Sequence, residues 1–109
     1  MADVNEWIES VVKGNDVVLF MKGTPDAPQC GFSSRVAQIL GHMQVPYQGV
    51  NVLESNTLRE GIKAYTNWPT VPQLYVKGEF IGGCDIVTEM FQNGELKQTM
   101  DEKGVATEA

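Results

Sequence analysis

Five consecutive apolar residues, Val17-Val18-Leu19-Phe20-Met21, give way at once to a segment that cannot continue them. A run this short, unbroken and rich in branched and aromatic side chains suits a strand covered on both faces, and such a strand needs a layer of helices on each side. Gly23, Pro25 and Pro28 make Lys22 to Gln29 a loop. Phe32, Val36, Ile39, Leu40 and Met43 then recur at helical spacing, a stripe for packing back onto the strand. That helix should stop before Val45-Pro46, and Tyr47 to Val52 reads as a second strand. Two strands joined through one helix pair in parallel with a right-handed crossover.

The flanking segments complete the sheet. Val4, Trp7, Ile8, Val11 and Val12 have helical spacing after Asp3, a suitable cap, and Gly14-Asn15 ends the segment. Leu58, Ile62 and Tyr65 mark a third helix after Ser55-Asn56, ending near Asn67. Trp68-Pro69-Thr70-Val71-Pro72 holds two prolines in five residues and is excluded from helix. Gln73 to Val76 and Glu79 to Ile81 flank Lys77-Gly78, which suits a tight hairpin. Gly82-Gly83 breaks the pattern, and Ile86, Val87, Met90 and Phe91 begin the last main helix. Asn93-Gly94 marks a stop before a short turn through Leu96 and Met100 and a polar tail. The expected class is α/β, a mixed four-stranded sheet with helices on both faces and ligands at the carboxyl ends of its strands.

Several functions are disfavoured by composition. The chain has 109 residues, which supports one domain. Its net charge of −6, with eight Lys and Arg, argues against a nucleic-acid surface. No apolar run is long enough for a membrane helix. The opening residues show neither a basic-then-apolar pattern nor an Arg-rich one, so no secretion signal or transit peptide is expected. Two cysteines are too few for a disulfide scaffold and point to a reducing compartment.

Cys30 is the chemical focus. It falls where a strand hands over to a helix, in the expected first turn, beside unpaired N–H groups and the positive end of the helix dipole. A thiol there is more acidic than a free one. Gly31, Pro28 and the cation Lys22 crowd the same junction, which an inert core cysteine does not need.

Lys22-Gly23-Thr24, Cys30-Gly31-Phe32-Ser33, Trp68-Pro69-Thr70-Val71-Pro72 and Gly82-Gly83-Cys84-Asp85 occur in this order and spacing. With these motifs the chain resembles the monothiol glutaredoxins of the Cys-Gly-Phe-Ser type over nearly its whole length. The resemblance, from about Val4 to Met100, implies a thioredoxin-like fold, so that 1–109 is expected to be a single glutaredoxin domain in which the polar residues 101–109 form a disordered tail. It also implies glutathione as ligand and a bridging [2Fe-2S] cluster shared between two protomers. The implied site comprises Cys30 as reactive and metal-ligating thiol, with Lys22, Phe32, Arg59, Lys63, Thr70, Val71, Pro72, Gly83, Cys84 and Asp85 around glutathione.

Glutathione carries two carboxylates, an ammonium and a thiol, so its site needs cations, an anion and free backbone groups. Family similarity puts Lys22 and Arg59 at the glycine carboxylate. Lys63, four residues after Arg59, joins them if a shared anion offsets their repulsion, or else pairs with Glu60 on the surface. In the family the bond before the matching proline is cis, which lets Val71 offer N–H and C=O as a strand edge would. Thr70 adds a hydroxyl or only backbone shape. Cys84-Asp85 open a helix whose N–H groups suit a carboxylate, and Asp85 is also a cap and a partner for an ammonium. Three roles are open to Cys84: core thiol, resolving partner of Cys30, or backbone contact. Trp7 and Trp68 are expected to be packing residues, Trp68 also shaping the neighbouring loop, and His42 a surface residue with no metal role.

Ser33 cannot resolve a mixed disulfide as a second cysteine would. Cys30 then either exchanges with glutathionylated thiols, with free glutathione as resolver, or ligates metal. A [2Fe-2S] cluster needs four ligands, and Cys30 plus a glutathione thiol from each of two protomers supplies them. The leading expectation is an iron–sulfur carrier that forms a cluster-bound homodimer and delivers to apo iron–sulfur proteins. The alternatives are a glutathione-dependent oxidoreductase, at most a weak one, and an iron-responsive module with a BolA-like partner. The expected setting is a bacterial cytoplasm, or an organelle matrix for a processed chain.

Overall fold

The computed structural model describes residues 3–107. Helix α1 (Val4–Gly14) starts at Asp3, whose carboxylate accepts the N–H of Asn5 at 2.9 Å and of Glu6 at 3.4 Å. Strand β1 (Val17–Met21) follows, then α2 (Gly31–His42), β2 (Gln48–Asn51), a single 3-10 turn (Val52–Glu54) and α3 (Asn56–Thr66). The hairpin β3 (Gln73–Val76) and β4 (Glu79–Gly82) leads into α4 (Cys84–Asn93) and α5 (Glu95–Glu102). Lys77 and Gly78 both take positive φ, 51° and 82°, which suits the right-handed twist of a two-residue hairpin link.

The sheet order is β2-β1-β3-β4, with β1 parallel to β2 and antiparallel to β3. Every residue of β1 is buried, as the unbroken apolar run requires. Its side chains alternate between two cores. Val17, Leu19 and Met21 face Val36, Leu40, Val87, Leu96 and Met100 of α2, α4 and α5, whereas Val18 and Phe20 face Ile8, Val12, Leu58 and Ile62 of α1 and α3. The helices thus cover both faces of a thioredoxin-like sheet, as expected.

Four expectations need correction. Phe32 does not join the packing stripe of α2: it is 63% exposed, and Ser33 is fully buried instead, because the helix start turns Phe32 away from the sheet. Cys30 is the residue before α2, with extended backbone (φ −147°, ψ 136°), not part of its first turn. The last helix is not a short turn: α5 runs through Asp101 and Glu102. The tail beyond it is not free either, since Val105 is 6% exposed, lies in the core with Leu96 and Met100, and donates its N–H to the Met100 carbonyl at 2.8 Å. One apolar residue among polar ones suffices to dock the segment. Of the expected tail, Glu108 and Ala109 lie outside the described residues.

Candidate functional site

Where β1 ends, side chains from elsewhere capture its next two N–H groups. The Lys22 N–H donates to the Ser33 hydroxyl at 3.0 Å, and the Gly23 N–H to Asn51 Oδ1 at 3.0 Å. Asn51 also accepts the Leu53 N–H at 3.0 Å, so one amide oxygen ties β2 to the loop. The loop then closes on itself: Gln29 N–H reaches the Lys22 carbonyl at 2.9 Å, and Thr24 and Ala27 exchange backbone hydrogen bonds of 3.3 and 3.1 Å. Gly23 sits at φ 94°, and a Cβ there would meet the Gln29 nitrogen at 2.5 Å and the Ala27 carbonyl oxygen at 2.6 Å. Only glycine allows this fold-back.

The loop delivers Cys30 to the start of α2, half-buried and free. Its thiol is held below the ordinary cysteine range. The Ser33 N–H contributes most, partial burial opposes it, and the Phe32 N–H, the Lys22 ammonium and the Ser33 hydroxyl add to the lowering. These N–H groups favour the thiolate without closing a full capping hydrogen bond to the thiol. Ser33 is thus an acceptor for Lys22 and a stabiliser of sulfur, a link that its place in the motif did not reveal. Because the folded pKa is depressed, the thiolate's contribution to stability is present above the unfolded value and is lost as pH falls through the folded one. Replacing Lys22 with glutamine should move the midpoint of Cys30 alkylation by iodoacetamide to higher pH. By the same sign, the wild-type midpoint should lie below that of a free cysteine peptide.

The Val71-Pro72 bond is cis, as the resemblance implied. The Val71 N–H and C=O make no hydrogen bond among the described residues. Gly83 lies against this segment, since a Cβ there would stand 3.3 Å from the Pro72 carbonyl oxygen and 3.3 Å from Trp68 Nε1. Helix α4 begins immediately after, with no side chain capping its first turn. Two cavities flank this junction. One of about 390 Å³ is lined by Phe32, Trp68, Thr70, Val71, Pro72, Gly83, Cys84, Asp85 and Ile86. The other, about 560 Å³, is lined by Cys30, Gly31, Phe32, Arg35, Cys84, Asp85, Thr88, Glu89 and Gln92. Phe32, Cys84 and Asp85 belong to both, so the two form one groove that runs past the sulfur.

Eight of the eleven expected site residues therefore line a common groove: Cys30, Phe32, Thr70, Val71, Pro72, Gly83, Cys84 and Asp85. The three cations do not line it. Lys63 pairs with Glu60 at 3.5 Å on α3, the surface alternative foreseen for it. Among the described residues, Lys22 and Arg59 have no carboxylate partner. Cys84 packs against the α2–α4 core and also faces the groove, with its sulfur 3.9 Å from the Thr88 hydroxyl. Arg35 was not expected here, and Trp68 only as a packing residue that shapes the neighbouring loop. Arg35 follows Ser33 by two residues on α2, and that proximity was the available signal.

Comparison with known proteins agrees with this geometry. The Glutaredoxin family model matches residues 17–81. A chloroplastic monothiol glutaredoxin of Arabidopsis thaliana is 53% identical over 98 residues, covering 90% of this chain and 57% of the relative. The chain thus spans under three fifths of that relative's length. An uncharacterised monothiol glutaredoxin of Synechocystis is 51% identical over 94 residues, covering 86% of this chain and 88% of its own. Among solved structures, reduced apo GrxS14 of poplar superposes with a TM-score of 0.83 at 48% identity, over 94% of each chain. A buckwheat glutaredoxin–glutathione complex does so with a TM-score of 0.81 at 27% identity, over 93% of this chain and 90% of that one. The domain match, the relatives and the single-thiol Cys30-Gly31-Phe32-Ser33 motif agree: this chain belongs to the glutaredoxin family, among its monothiol members.

Proposed function

We propose that this chain binds glutathione in the groove beside Cys30 and carries a [2Fe-2S] cluster between two copies of itself, for delivery to apo iron–sulfur proteins. The observation that carries the proposal is a lone acidic thiol at the mouth of a groove whose far wall is an unpaired peptide edge. A tripeptide can pair with Val71 as an added strand does. Its γ-glutamyl carboxylate is assigned to the uncapped N–H groups of α4 and its ammonium to Asp85. Its glycine carboxylate is assigned to Lys22 and Arg59, which have no carboxylate partner among the described residues. Lys63, held by Glu60, is the weaker contributor.

The donor set fits the cluster as cargo. Cys30 faces the groove rather than the core, and on losing its proton it offers one thiolate; bound glutathione offers the second, and a second copy completes four. Cluster and glutathione then account for most of the contact between protomers. The acidity of Cys30 also supports a second reading, exchange with glutathionylated thiols. Either chemistry requires a reducing compartment, which a bacterial cytosol or an organelle matrix supplies.

Anaerobic reconstitution with iron and sulfide separates the two. Visible absorption that requires glutathione, on a species of twice the chain mass, is the expected result. A colourless monomer with or without glutathione, together with rapid turnover of a glutathionylated substrate, would overturn cluster carriage in favour of exchange.

A further inference from the structure

Gln73 is a polar side chain with no exposed surface, placed among the apolar residues between the sheet and α1 and α3. Burying an amide there is costly unless both of its ends are paired. Both are. Its Nε2 donates to the Thr70 carbonyl at 3.1 Å and to the Trp68 carbonyl at 3.3 Å, and its Oε1 accepts the Tyr75 hydroxyl at 3.1 Å. Gln73 opens β3, and Tyr75, two residues on, shares its face of the sheet. The strand therefore sends a strut upward into the loop that it has just left.

The two carbonyls it holds are those of the loop 68–71, whose Trp68 N–H is also paired, with the Lys63 carbonyl and the Thr66 hydroxyl, each at 3.2 Å. The Trp68 ring packs at a 56° tilt against Phe80 with centroids 5.5 Å apart, and Phe80 packs on Tyr75 at the same distance. The loop is thus fixed by an aromatic layer on one side and by the Gln73 amide beneath. Val71, next in the chain, is left with its N–H and C=O unpaired at the groove. An apolar side chain of similar length would fill the same space and leave two loop carbonyls without donors.

We propose that Gln73 is a positioning residue for the ligand edge: by holding the Trp68 and Thr70 carbonyls it keeps the Val71 peptide in the pose that an incoming tripeptide pairs with. This rests on glutathione binding at Val71 and names the side chain that sets that edge, one which does not itself touch the groove. Specificity for a peptide ligand would follow from the fixed spacing of the Val71 donor and acceptor.

The test measures glutathione binding by calorimetry, with melting temperature alongside, for the wild type, Gln73→Met and Tyr75→Phe. Gln73→Met strips both donors from the loop and is expected to weaken glutathione binding about tenfold, the loss of roughly one buried hydrogen bond. Tyr75→Phe removes the third bond of the network but leaves both loop carbonyls held. It should lower the melting temperature and keep the wild-type affinity. Iodoacetamide reaction of Cys30 should be the same in all three. If affinity falls in step with melting temperature in both variants, Gln73 is merely structural and the inference is overturned. Wild-type affinity in Gln73→Met overturns it too, whereas no binding by the wild type overturns the ligand assignment on which it rests. Should Gln73→Met not fold, Gln73→Glu serves. Buried against two carbonyls, its carboxyl keeps one proton for them at neutral pH and loses it as pH rises, so binding should weaken with rising pH more steeply than in the wild type; a wild-type pH profile overturns the proposal.

Discussion

Cys30→Ser should give a folded chain that stays colourless after reconstitution with iron, sulfide and glutathione, and that remains monomeric on sizing. The expectation follows from where the sulfur sits. Cys30 occupies the position before α2, where serine is a preferred cap, so stability should change by no more than about 1 kcal/mol, in either direction. A serine hydroxyl does not deprotonate near neutral pH, so it can serve neither as the proposed thiolate ligand nor as the nucleophile. Cluster and alkylation should both disappear while the fold persists. The control is Cys84→Ser: its sulfur packs partly into the α2–α4 core, and colour should survive its loss. Colour in Cys30→Ser, or its absence in Cys84→Ser, would move the ligand to Cys84 and overturn the assignment.

Gly23→Ala should be among the most damaging single-methyl substitutions available. An L residue held at φ 94° costs about 1–2 kcal/mol, and overpacking adds about 1–3 kcal/mol. The new methyl meets backbone atoms, the Gln29 nitrogen at 2.5 Å and the Ala27 carbonyl oxygen at 2.6 Å, and neither can swing aside as the end of a side chain would. The fold-back must open. Urea denaturation should show a loss of about 2–5 kcal/mol, the sum of those two costs. Cys30 alkylation at fixed pH should change as well, because the Lys22 ammonium beside the thiolate belongs to the same loop. A stability loss below about 1 kcal/mol would mean that the loop yields locally, outside the range expected for overpacking.

The strands and long helices were legible because each carried its own signal. The five-residue apolar run fixed β1, Asp3 and Ser55 announced the starts of α1 and α3, and Lys77-Gly78 marked the hairpin. Periodicity failed at Phe32 and Ser33 because a helix start can turn an aromatic ring outward and bury a hydroxyl that has an N–H to accept, and spacing alone cannot see the partner. The docked end at Val105 was hidden in the same way, since a single apolar residue in a polar stretch has no pattern. The groove was legible in its chemistry: eight of its expected residues converge there, from motifs far apart in the chain. The α3 cations were harder to place, because a long charged side chain meets either a ligand or a neighbouring carboxylate, and Lys63 meets Glu60. Gln73 and Asn51 went unnoticed, because their importance lies in backbone groups that only the fold brings to them.

The fold-back between Thr24 and Ala27, entered through Lys22 and Gly23, which the buried serine and Asn51 hold, has a thermodynamic corollary. A segment already immobilised when the polypeptide collapses has little freedom left to surrender when a guest arrives. Affinity at this sulfur should thus depend on the contacts themselves, with a small ordering penalty, and capture should proceed without waiting for a lid.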